Sequence, residues 1–263
     1  METNQTKPNT DSKHDTMNKK ETNDPHQIGN RLPVYNLIIL DKSGSMHSVR
    51  REAVDAYNET LGTIKAAQQK YPDTQEHFIS LAAFCSCGIE MIYDKVPALE
   101  AEPMNYNRYQ PCCCTPLFDA VGSTMSKLKS HAEKGGDYNA LVTIITDGYE
   151  NDSKEWTGEQ VKTLIEECRK DGWMVSFIGA MEDAERVAMS ISIENVIRWE
   201  QTHEGTRQMS KTESDSRSRY FAHLNNNIMC CMDDDMSIEE RKASRQKISE
   251  NYYKDEENSN DKA

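Results

Sequence analysis

No apolar run in this 263-residue chain approaches the ~20 residues a membrane-spanning helix needs. The amino terminus, Met1-Glu2-Thr3-Asn4-Gln5, carries no basic and then apolar export segment. Positive charge is in deficit. Lys and Arg number 31 against 44 Asp and Glu, a net charge of −13, which argues against non-specific nucleic-acid binding. No internal repeat is visible. Gly44-Ser45-Met46 lacks the Lys of a phosphate-cradling loop. Cysteine is present but badly laid out for disulfides. The eight stand at 85, 87, 112, 113, 114, 168, 230 and 231, several of them adjacent. Reduced thiols and a cytoplasmic setting are therefore expected.

What remains is polar on average, with 36% hydrophobic and 29% charged residues, as expected of a normal core between unfolded ends. Residues 1–30 hold almost only Asn, Thr, Lys, Asp, Glu, Gln, His and Pro and cannot offset their ordering entropy, so a disordered tail is expected. Residues 226–263 carry Asp233-Asp234-Asp235 and Asp255-Glu256-Glu257. Ile238 to Tyr253 has the pattern of one amphipathic helix, but an acidic, mostly disordered tail is the preferred reading. One α/β domain over 32–225 is left.

Within it, strands and helices alternate. Val34 to Leu40 is a charge-free run of β-formers, the mark of a buried parallel strand. A helix follows from Ser48 to about Lys70, with Val49, Ala53, Tyr57, Thr60, Leu61 and Ile64 on one face. His77–Phe84 and Ile89–Tyr93, joined at Gly88, read as a hairpin that adds an antiparallel edge strand. Thr115-Pro116 opens a helix that buries Leu117, Val121, Met125 and Leu128. Strand Ala140–Ile145, a helix capped by Thr157, strand Trp173–Gly179, a short helix near 183–190 and a weaker strand Asn195–Trp199 complete the alternation. A last polar helix spans about Glu204–Asn225, and its middle, Lys211 to Arg219, is polar enough to be partly loop. Such alternation implies a doubly wound, Rossmann-like, mostly parallel sheet of six strands with helices on both faces.

In open α/β sheets the ligand site lies at the carboxyl ends of the strands. Asp41-Lys42-Ser43-Gly44-Ser45-Met46 leaves the first strand there, so one carboxylate and two hydroxyls can point to a common spot. Those are hard oxygen donors, suited to Mg²⁺, Mn²⁺ or Ca²⁺. Asp41-x-Ser43-x-Ser45 resembles the first part of the metal-ion-dependent adhesion site of von Willebrand factor type A (VWA) domains. Thr115, in Cys114-Thr115-Pro116-Leu117-Phe118-Asp119-Ala120, looks like that family's second metal-site loop. Asp147, in Ile144-Ile145-Thr146-Asp147-Gly148, looks like its third.

The resemblance covers about residues 32–225 and implies sheet order 3-2-1-4-5-6, with strand 3 antiparallel. It implies that Ser43, Ser45 and Thr115 are direct metal ligands, with Asp41 and Asp147 as charged partners that bind directly or through water. Two carboxylates leave a divalent ion electron-poor, ready to accept an Asp or Glu from a partner protein. A magnesium-dependent protein–protein binding module is expected, with no catalytic residue, nucleic-acid partner or membrane partner. A hydrolase or phosphatase using the same loops is the alternative. It would need a general base, and the loops hold no His. His47 reads as the approach to a helix, and Glu150, Asn151 and Asp152 as a solvated loop.

The cysteines depart from the family pattern. Cys85-x-Cys87 and Cys112-Cys113-Cys114 fall at the end of the sheet that carries the metal loops. Cys-x-Cys with a Cys triplet is not a recognised zinc spacing, so packed reduced thiols are preferred over a thiol-based metal or redox sensor.

Overall fold

A computed structural model describes residues 31–233 and 236–254. Twelve elements follow one another: β1 (Leu32–Asp41), α1 (Arg50–Lys70), β2 (Gln75–Cys85), β3 (Gly88–Pro97), α2 (Leu117–Ala132), β4 (Asn139–Thr146), α3 (Gly158–Lys170), β5 (Met174–Gly179), α4 (Ala184–Ser190), β6 (Asn195–Arg198), α5 (His203–Asp233) and α6 (Ile238–Ser249). The sheet order is β3-β2-β1-β4-β5-β6. β3 pairs with β2 antiparallel, and the other pairs are parallel. This is the fold class and strand order expected above.

Side chains alternate across the sheet and feed two cores. Leu37 and Ile39 of β1 join α2, α3 and α4 on one face, through Val121, Met125, Val161, Ile165 and Ala184. Val34, Ile38 and Leu40 join α1 and α5 on the other, through Tyr57, Leu61, Phe221 and Leu224. The expected inward faces of α1 and α2 are buried, as are Val161, Leu164, Ile165 and Cys168 of α3. Thr157 caps α3 in a reciprocal pair with Gln160. Ser48 does not cap α1. Its hydroxyl donates to Ser45 O, and α1 starts at Arg50.

Two expectations fail at the carboxyl end. First, α5 is continuous through residues 211–219. Glu213, Ser216 and Arg217 continue the stripe of Met209, Tyr220, Phe221 and Leu224 at helical spacing, and all are buried. Second, the region from 226 is not the mostly disordered tail expected. α5 runs on to Asp233, and Ser237 and Glu240 form a reciprocal cap that starts α6. Tyr252 beyond it is only 3% exposed. Paired charges do this: Arg245 binds Asp137, Lys242 binds Asp171, and the Tyr252 and Tyr253 hydroxyls donate to Glu213. Residues 1–30 and 255–263, which complete the expected tails, lie outside the described residues.

Candidate metal centre

β1 and β4 are neighbours in register, Leu40 against Ile145, so their carboxyl ends are level. Asp41 is the last residue of β1 and is fully buried. Its Oδ1 accepts the Ser43 amide at 2.6 Å, and its Oδ2 accepts the Thr146 hydroxyl at 2.6 Å. After Ser43 the chain makes one tight turn, Gly44–His47. That turn brings the Ser43 and Ser45 hydroxyl oxygens to 3.1 Å from each other. The Ser45 hydroxyl donates to Asp147 Oδ1 at 2.6 Å, closing a link across 102 positions.

Thr115 is buried and arrives from the loop before α2. Gly148 shows where it points. A Cβ built on that glycine would lie 3.0 Å from Thr115 Oγ1, 3.5 Å from Ser45 Oγ and 3.6 Å from Asp41 Oδ2. Oxygens from the Asp41 and Thr115 loops therefore face one small volume beside the third loop, left open because residue 148 has no side chain. All five residues singled out in the sequence meet here. Only oxygen atoms are offered, a donor set that fits a hard divalent cation.

The electrostatics agree with the donor chemistry. Burial pushes the Asp41 carboxyl up to about 6, although hydrogen bonds from Thr146 and Ser43 oppose the shift. Burial also raises Asp147, against the hydrogen bond from Ser45. Two carboxylates, one buried and one partly buried, with no cation among the causes of their shifts, are held above their ordinary range. A bound cation would reverse that penalty.

The loop after β4 holds the site together. Thr115 N–H donates to Asn151 Oδ1 at 2.8 Å, and Asn151 N–H donates back to Thr115 O at 3.2 Å. Glu150 accepts the Phe118 amide, and Ser153 Oγ accepts the Asp119 amide, satisfying the orphan donors at the start of α2. In return Asp119 accepts the amides of Lys154, Glu155 and Trp156. So Glu150 and Asn151 are structural braces, not parts of a solvated loop. The Tyr109 hydroxyl donates to the Asp41 carbonyl from the long connection after β3. Thr146, Gly148, Asn151 and Tyr109 had no assigned role in the sequence. The Thr-Asp-Gly run at a strand end pointed to the first two, whereas nothing local marked Tyr109.

Beside this centre lies a group of thiols. Cys85 ends β2, Cys87 sits in the β2–β3 turn, and Cys112 and Cys113 precede Thr115. Sγ separations are 3.4 Å for Cys85–Cys112, 4.0 Å for Cys87–Cys112 and 3.3 Å for Cys87–Cys113. The Cys112–Cys113 loop is joined by backbone hydrogen bonds to the Asp41 loop. Gly44 N–H donates to Cys113 O, and Cys112 N–H donates to Lys42 O.

No family model matches the sequence, and no curated protein matches it. Solved structures do. The pilus adhesin SpaC from Lactobacillus rhamnosus GG, in its open conformation, matches at TM-score 0.54 and 12% identity, over 73% of this chain and 31% of that one. That likeness is one of fold. The PilB minor pilin from Streptococcus sanguinis matches at TM-score 0.49 and 10% identity, over 72% and 62%. The SpRpn10 VWA domain matches at TM-score 0.49 and 8% identity, over 68% and 94%. This chain thus spans less than two thirds of the SpaC and PilB chains. No helix among the described residues is long and apolar enough to cross a membrane.

Proposed function

We propose that Ser43, Ser45 and Thr115 bind a divalent cation, Mg²⁺ foremost, with Mn²⁺ or Ca²⁺ able to replace it. Asp41 and Asp147 supply the compensating charge. Both Asp41 oxygens already accept a protein donor, which favours its acting through a bound water. Asp147 Oδ1 is engaged by Ser45, and the residue is only partly buried, so it faces the open side. The function that follows is non-catalytic. An ion balanced by two carboxylates keeps its pull on a third, and a partner protein's Asp or Glu supplies it. The observation that carries this reading is the convergence of Thr115, Ser45 and Asp41 oxygens on the space beside Gly148.

The cytoplasm suits the protein, because every cysteine whose side chain is described is free. Capture experiments with the full chain test the function. Protein immobilised in Mg²⁺ should retain a partner that EDTA releases, and Thr115→Ala should retain none while melting normally. Retention by Asp41→Ala in EDTA equal to that of the unaltered protein in Mg²⁺ would remove the proposal.

A further inference from the structure

The thiols beside the oxygen site form a group rather than separate pairs. Cys85, Cys87 and Cys112 offer three sulfur atoms that all lie within 4.8 Å of one another. Cys113 stands just outside that trio, 3.3 Å from Cys87 Sγ and in reach of Cys112 Sγ, and can supply a fourth sulfur. A tetrahedral ion with sulfur at about 2.3 Å places its ligands roughly 3.8 Å apart. The observed separations of 3.3 to 4.0 Å bracket that edge. Among the described residues, no carboxylate or imidazole belongs to the group.

The backbone is arranged to bring these sulfurs together. Ser86 N–H donates to Cys114 O at 3.2 Å, and Cys114 N–H donates to Ser86 Oγ at 3.0 Å, clamping the β2–β3 turn against the triplet. Cys113 itself has φ +62°, left-handed backbone that a side chain other than glycine, Asn or Asp rarely takes. Strain held by surrounding hydrogen bonds is found where a side chain must be aimed. At Cys113 that conformation accompanies an Sγ turned towards Cys87.

From these observations we infer a second, chemically distinct metal site: Cys85, Cys87, Cys112 and Cys113 bind one soft or borderline d¹⁰ ion, Zn²⁺, as thiolates. Each thiol passes its proton to solvent as its Zn–S bond forms, with no change of oxidation state. The site is independent of the oxygen centre in ligand and in preferred ion. It also lies on the segment that leads directly into Thr115.

The test uses the full chain, reduced by a non-thiol reductant and stripped of metal. Co²⁺ is the optical probe and Zn²⁺ the competitor. One equivalent of Co²⁺ should give sulfur-to-cobalt charge-transfer absorption with tetrahedral visible bands, and one equivalent of Zn²⁺ should abolish both. Cys87→Ser/Cys112→Ser should lose them, with Zn²⁺ affinity falling by more than the roughly 100-fold that loss of an outer partner costs. Gly148→Ala, which alters only the oxygen centre, should keep them, so the two sites fail separately. Absence of charge-transfer absorption in the reduced protein, or its survival in the double Ser variant, overturns the inference.

Discussion

A methyl group at position 148 would stand 3.0 Å from Thr115 Oγ1 and within 3.6 Å of Ser45 and Asp41 oxygens. It would occupy the volume that those oxygens face. Residue 148 is not among the glycines with positive φ, so alanine meets no backbone obstacle there. Gly148→Ala should therefore fold, with a stability change in EDTA of under ~1 kcal/mol. Its Mg²⁺ affinity should fall at least ~10-fold, a loss of about 1.4 kcal/mol. Calorimetric titration beside a melt in EDTA checks both. Unimpaired Mg²⁺ binding would show that the ion does not sit where these oxygens converge.

His77 has a different residue-scale consequence. It is buried in β2, edge-on to Phe221 at 4.5 Å. Its Nδ1 lies 3.4 Å from the Asn36 amide nitrogen, and its Nε2 lies 3.1 Å from Gln75 Oε1. The neutral ring with its proton on Nε2 satisfies both. Burial first, and the Arg217 cation second, lower its pKa to about 3. Around it Asn36, Gln75 and Phe221 are uncharged, and the facing charges are Arg217 with its partner Glu213. Because the folded pKa is depressed, the unfolded chain takes up a proton first as pH falls. The stabilisation is complete above about pH 6.5 and is lost towards pH 3, at up to about 1.4 kcal/mol per pH unit. Denaturation of His77→Gln across pH 7 to 4 should show a shallower loss than the unaltered protein. Parallel curves would refute the account.

At the scale of elements, the strands were legible and the loops were not. β1 and β4 announce themselves because a strand buried on both faces must be apolar throughout. The five oxygen-bearing residues came from the resemblance of their loops to a known metal-site pattern, and the pairing of β1 with β4 brings Asp41 and Asp147 together. The β4–α3 loop hid its role. Glu150 and Asn151 look like solvated charge and amide in one dimension, because their partners, Phe118 and Thr115, stand more than 30 positions away. Asn151→Ala removes the acceptor of the Thr115 amide, leaving the donor of a buried residue unmet at a cost of about 1–2 kcal/mol. It also frees the backbone that aims Thr115, so Mg²⁺ affinity should drop with stability. Asn151→Asp, which keeps an acceptor at that position, should recover most of both. Equilibrium denaturation and metal titration of the two variants decide the matter, and an Asn151→Ala protein with unaltered metal binding would contradict it.

At the scale of the whole molecule, the two faces of the sheet are held differently. The α2–α3–α4 face packs mainly apolar side chains. The α1–α5 face carries a polar belt in which Arg217 donates to Glu213, Asn36 and Thr143, while Tyr252 and Tyr253 donate to Glu213. This belt explains why the middle of α5 and the region after 226 misled a reading from composition. Polar residues count against burial only until their partners are known, and Arg217 meets Asn36 across 181 positions. Arg217 and Glu213 are 1% and 2% exposed, so neither charge has solvent to fall back on. Replacing one member of such a pair is far costlier than replacing both with apolar groups. Glu213→Gln keeps the shape but strands the Arg217 cation and weakens two tyrosine hydrogen bonds. It should cost about 3–5 kcal/mol in urea denaturation, and Glu213→Leu/Arg217→Met distinctly less. Asn36 lies five residues before Asp41 on β1, roughly 16 Å along the strand, so Mg²⁺ affinity of the folded fraction should not move. A Glu213→Gln protein within ~1 kcal/mol of the original would mean that water reaches the pair and that α5 and α6 are held by apolar contact alone.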